Sequence, residues 1–116
     1  MRAMTEDDEI DDDFMASDDQ DVVVYCRLSN HSMGTNQERT SIVELGDQLE
    51  LAIEAAGVGE YDGDDFGCGE GRLFFAGKDA EKLVAVIGPI LRRHPVGRTA
   101  TVKIQRGNDE PETVKF

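Results

Sequence analysis

Two stretches with helical periodicity and four with strand character alternate along this chain, and their order leaves few folds open. Within 36–56, Ile42, Leu45, Leu49, Ala52, Ile53 and Ala56 recur at three- and four-residue spacing and form one apolar stripe. Thr35 and Glu38 have the spacing of a capping box ahead of it, and Gly57 is suited to end it. A second helix is predicted over 80–93, capped by Asp79, with Leu83, Ile87, Ile90 and Leu91 inward. Pro89 should bend it, and His94-Pro95 should end it. The run VVVYCRL at 22–28 is the strongest strand signal, apolar enough on both faces to be central. GRLFFA at 71–76 is a second clear strand. The acidic, glycine-rich 58–67 suits an edge, and 99–106 alternates cleanly, with Ala100, Val102 and Ile104 on one face.

The order β-α-β-β-α-β within residues 21–106 predicts an α+β, two-layer sandwich. Right-handed crossovers give a four-stranded antiparallel sheet in the order 4-1-3-2, with both helices on one face. This resembles the ferredoxin-like superfold. The stretch Gly57 to Gly63, then Phe66-Gly67, Gly69-Glu70-Gly71, Phe74 to Gly77, Pro89, Pro95 and Val96 also resembles a small uncharacterised bacterial family. That resemblance implies the fold over 21–106 and no activity, since a superfold hosts many functions.

The 116 residues allow one domain and little more. The net charge of −13 is uneven: residues 1–21 contribute −9 and the remainder −4. Residues 1–20 are therefore expected to be an acidic, disordered tail, and 107–116 a flexible one. Such a charge disfavours nucleic acid and anionic membrane as partners and leaves a protein partner or a homodimer. No apolar start or span of about 20 apolar residues is present, so a cytoplasmic location is expected. Cys26 and Cys68 stand 42 residues apart without a C-x-x-C pair or a secretory context, so free thiols are favoured over a disulfide.

Helices on one face leave the other face of the sheet open. Tyr25, Arg27, Arg72, Phe74 and Lys103, with Thr101 and Gln105, are expected there as a partner or ligand platform. Arg92, Arg93, His94 and Arg98 form a basic patch near the end of the second helix, a candidate site for an anion, an acidic partner or the chain's own residues 6–19. Asp62, Asp64, Asp65 and Glu70 offer hard oxygen ligands, but match only two positions of a calcium loop, so no metal and no cofactor is expected. Cys68 with His31 or His94 lacks the arrangement of a nucleophilic triad. Gly67, Gly69 and Gly71 precede a strand where a dinucleotide fingerprint would open a helix. GEGRLFFA also departs from the aromatic strand motif of RNA-binding domains. The reading is a small non-enzymatic interaction or regulatory domain acting through an acidic surface and the open sheet face. A small-ligand or divalent-metal-binding domain is the alternative, followed by a small enzyme with a dimer-interface site.

Overall fold

The computed structural model describes residues 19–30, 32–107 and 109–115. His31 and the acidic segment 1–18 lie outside the described residues. Two helices pack against a five-stranded antiparallel sheet. In chain order the elements are β1 (Gln20–Arg27), α1 (Asn36–Ala56), β2 (Glu60–Gly67), β3 (Glu70–Gly77), α2 (Ala80–Arg93), β4 (Thr101–Gln105) and β5 (Glu112–Lys115). A short 3-10 turn, Gly97–Thr99, leads into β4.

The sheet runs β2-β3-β1-β4-β5, so the expected four-stranded sheet is corrected to five. The added strand comes from the stretch expected to be a flexible tail. Gly107, at φ +58°, turns the chain, and the Gln105 side-chain amide donates to the Gly107 and Asp109 carbonyls. Arg106 donates to Glu112 at 2.6 Å across the turn. Locally NDEPE reads as loop, but the bare edge of β4 offers a ladder of partners, and Val102 pairs with Val114. Tertiary pairing overrides the weak local propensity.

The helix ends are chemically fixed. The Thr35 hydroxyl accepts from the Glu38 N–H at 3.1 Å, and the Glu38 carboxylate accepts from the Thr35 N–H at 2.8 Å. Gly57 closes α1 at φ +66°. The Asp79 carboxylate accepts from Glu81 and Lys82 N–H groups at the start of α2, which continues through Pro89 to Arg93.

The core lies between the layers. Val22, Val24 and Cys26 of β1, Leu73 and Phe75 of β3, and Val102 and Ile104 of β4 meet Ile42, Leu45, Leu49 and Ile53 of α1 and Leu83, Ile87 and Leu91 of α2. Ala56, expected in the stripe, is exposed, and Ile90 is only partly buried. The buried face of α1 instead includes Gly46, where a Cβ would come within 3.1 Å of the Tyr61 hydroxyl. Its missing side chain lets β2 approach α1. Burial desolvates the Cys26 thiol and pushes its pKa up to about 12. Both cysteines are free.

A bulge between Tyr61 and Gly63 resets the register of β2 against β3. Beyond it Asp64 pairs with Leu73, and Asp65 pairs with Arg72. The pleat therefore sends Asp64 towards the helices and Asp65 towards the open face.

Candidate functional site

The open face is ordered in rows by strand register. Tyr25 lies between Arg72 of β3 and Thr101 of β4, and Thr101 faces Lys115 of β5. In the next row Val23 lies between Phe74 and Lys103, and Lys103 faces Thr113. The Lys103 ammonium stands 5.2 Å from the Tyr25 ring centroid, within cation–π range. Arg27 follows at the end of β1, opposite Glu70. The pleat thus places Tyr25, Arg27, Arg72, Phe74 and Lys103 on the face opposite the core.

They do not all serve one site. Arg72 is occupied: it donates to Asp65 at 2.9 Å and to Glu70 at 3.1 Å. Its hydrogen bond to Asp65 is the first cause holding the guanidinium above its already high pKa. Phe74 lies outside the lining of the concavity described next. Tyr25, Arg27 and Lys103 line that concavity, about 840 Å³, at the Arg27 end of the face. Lys115 completes a set of three cations among the described residues of the lining, and Glu70 is the one carboxylate among them. No salt bridge to Arg27, Lys103 or Lys115 forms among the described residues. Ser29, Thr99 and Thr101 add hydroxyls.

The rim has its own supports. The β2–β3 turn places Cys68 at φ +55° and Gly69 at φ +81°, the pair of positive φ values that a two-residue hairpin of this hand requires. The Gly69 carbonyl accepts from the Leu28 N–H, and the Gly69 N–H donates to Ser32, both at 2.9 Å. The Asn30 side-chain oxygen accepts from the Ser32 and Gly34 N–H groups. Glu38 reaches out of α1 to accept from the Ser29 N–H and hydroxyl at 3.0 Å. The hydrogen bond from the Thr35 backbone, aided by those from Ser29, holds the Glu38 carboxyl below its ordinary range.

Lys115 is the charged site residue that sequence reasoning missed, along with the hydroxyls of Ser29 and Thr99. The signal was the alternation in ETVK after the loop-like NDEP, too short to stand without the edge of β4 beside it. The basic patch is a separate feature. Arg92 and Arg93 are exposed on the last turn of α2, where cations complement the helix dipole. His94 Nδ1 accepts from the Val96 N–H at 3.1 Å, and the Arg98 N–H donates to the His94 carbonyl. Arg92 lines a second groove of about 360 Å³ between α2 and β4–β5, floored by Val84, Ile104 and Val114.

The carboxylates weighed as metal ligands are dispersed. Asp64 accepts from the Tyr61 hydroxyl at 3.1 Å, whereas Asp65 and Glu70 hold Arg72. Among the described residues no group of three or more His, Cys, Asp or Glu side chains is placed to hold a metal ion. No described helix is long and apolar enough to cross a membrane.

No protein-family model matches the chain, and no curated protein matches it. Among solved structures, a phage SAM lyase in its apo state is similar at a TM-score of 0.45 and 14% identity, covering 89% of this chain and 94% of that one. At that degree of likeness neither residues nor activity carry across.

Proposed function

We propose that this protein is a non-enzymatic interaction domain whose open sheet face binds an anionic segment of a protein partner. The carrying observation is the concavity at the Arg27 end, where Arg27, Lys103 and Lys115 meet beside the Tyr25 ring on a chain of net charge −13. Opposed cations on a half-apolar platform favour a carboxylate-bearing chain: the ammonium and guanidinium groups give attraction, and the ring gives contact area. The acidic outer face of α1, with Glu44, Asp47 and Glu54 exposed, repels such a segment from the opposite side and thereby orients its approach. His94, one of the two histidines an enzymatic reading would use, hydrogen-bonds Val96 and lies outside the concavity's lining; the other, His31, lies outside the described residues.

The size of the concavity favours a second reading, a small anionic ligand, because small-molecule sites fall in the range of about 300–1,000 Å³. A labelled oligoglutamate peptide, titrated at low salt and followed by anisotropy, tests the first reading; citrate and inorganic phosphate test the second. The expected result is peptide binding weakened tenfold or more in the Arg27→Gln, Lys103→Gln double variant and unchanged in Arg93→Gln. Equal loss in both variants places binding elsewhere and sinks the proposal. Competition by citrate alone, with no peptide bound, selects the small ligand. Sedimentation of the same samples reads whether a second copy takes the face.

A further inference from the structure

The outer edge of β5 lies between the cationic concavity and the groove beside α2. We infer that this edge takes up an extended segment of a protein partner as a sixth strand, and that the segment alternates carboxylate and apolar side chains. The inference rests on the proposed function and names the conformation and side-chain pattern of the anionic segment.

Three observations carry it. The first is that neighbouring residues of β5 line different hollows. Lys115 lines the cationic concavity on the open face, and Val114 lines the groove of about 360 Å³ on the helix face. Side chains of a strand paired with β5 alternate between the same two faces.

The second is the unfinished helix layer. α1 packs over β2 and β3, and α2 over β1 and β3, so β4 and β5 carry the sheet past α2. Val84, Ala85 and Pro89 of α2 then face Ile104 and Val114 across the groove, with no further helix between them among the described elements. The two carboxylates of the lining, Glu112 and Glu81, are held by Arg106 at 2.6 and 4.0 Å. An apolar side chain therefore suits this face, as a carboxylate suits the other.

The third is the choice of edge. Among the described residues the sheet has two edges, β2 and β5. β2 carries Glu60, Asp62, Asp64 and Asp65 and is bulged between Tyr61 and Gly63, so it repels an acidic strand and interrupts a regular ladder. β5 pairs with β4 in unbroken register, and its Thr113 and Lys115 are exposed. Lys115 has no salt bridge among the described residues, so a carboxylate opposite it forms a cross-strand pair of opposite charge. Main-chain hydrogen bonds along the edge supply affinity, and the alternating side chains supply selectivity.

Two labelled peptides of one composition separate this mode from simple charge attraction. One alternates Glu and Val between Gly-Ser flanks; the other carries the same residues in two blocks. Followed by anisotropy at low salt, the alternating peptide should bind at least tenfold tighter than the block peptide. N-methylation of alternate backbone nitrogens should abolish binding for the set that faces β5 and spare it for the other set. Ala85→Arg, at an exposed position of α2 in the groove, should weaken the alternating peptide tenfold or more, whereas charge attraction alone makes binding tighter in this variant. In a second measurement, amide exchange should slow at alternate residues of Glu112–Lys115 when the peptide binds and stay unchanged in Glu60–Gly67. Equal affinity of the two peptides, tighter binding in Ala85→Arg, or protection absent from β5 overturns the inference. A peptide-free dimer dispersed by Ala85→Arg overturns it too, since a second copy then holds the edge. The two proposals fail separately. Oligoglutamate binding that is lost in the Arg27→Gln, Lys103→Gln variant, with the two Glu–Val peptides equal, removes the added strand and leaves the function. Alternating-peptide binding that is lost in Ala85→Arg but unchanged in Arg27→Gln, Lys103→Gln removes the charge reading of the open face and leaves the added strand.

Discussion

Phe74 and Phe75 are neighbours in β3 with the same side chain and opposite surroundings. Phe75 is 1% exposed, packed beneath the helices and 5.2 Å from the Tyr61 ring; Phe74 is half-buried on the uncovered face. Val24 and Val23 repeat the contrast on β1, and Leu73 and Arg72 repeat it one step down β3. One side of the sheet is thus a filled core, in which no described polar or charged residue is buried. The other is a platform of mixed chemistry with a cationic hollow at one end. Such a division leaves the open face, the proposed recognition surface, substitutable without loss of the fold. Each experiment below attacks that separation.

The cysteines give the largest contrast. Cys26 is fully buried in the central strand, and its thiol resists ionisation; Cys68 is exposed on the rim of the hollow. Only the thiolate reacts, and access to Cys26 requires β1 to open. In native protein a thiol reagent at pH 8 should therefore modify Cys68 at least about a thousandfold faster than Cys26, the scale set by global stability. Equal rates would mean that the helix side opens locally and that the filled core is not the stable half.

Truncating the two phenylalanines comes next. Phe75→Ala leaves a cavity beneath two helices and should destabilise by about 3–5 kcal/mol in urea unfolding. Phe74→Ala should change stability by about 1 kcal/mol or less, within the range of surface substitutions with partial burial. Comparable losses would show that the open face is itself part of the core, covered in solution by a further segment or a second copy.

Much of this division was legible in the sequence where local chemistry sets it. Thr35, Glu38, Gly57 and Asp79 announce the helix ends by groups that act within one turn, and the structure places the same groups at the same ends. Alternation in TVKIQ likewise assigns Val102 and Ile104 to the core and Lys103 to the open face. Three consecutive valines carry no polarity contrast, so the face of Val23 is decided only by its pairing with Phe74 and Lys103. The bulge near Tyr61 separates Asp64 from Asp65 by a register change that no composition announces. Lys115 enters the hollow only because β5 pairs with β4, and the sequence of β5 alone is four residues of ambiguous character. What failed to be readable is what long-range pairing decides.

Glu38 ties the two halves at the hollow, and titrating it gives the smallest expected effect. Glu38 belongs to α1, yet its carboxylate holds Ser29, which lines the hollow, as well as Thr35, which caps the helix. Its pKa in the folded state lies below the ordinary value, chiefly through the Thr35 N–H, so the folded state binds its proton less readily than the unfolded chain. The sign follows: Glu38 contributes stability above its unfolded pKa of about 4.3, and that contribution is lost as pH falls through the lower folded value. Glu38→Gln removes the charge at every pH. The wild-type midpoint in urea should exceed that of Glu38→Gln at pH 7, and the gap should close as pH is lowered below about 4. Amide exchange should localise the change, with Ser29 and Thr35 losing protection on acidification in the wild type while Val24 and Leu73 keep theirs. A gap that persists at low pH would assign the role of Glu38 to packing. Loss of protection spreading to Val24 would show that the loop and the core open together and that the two faces are not separable at this end of the sheet.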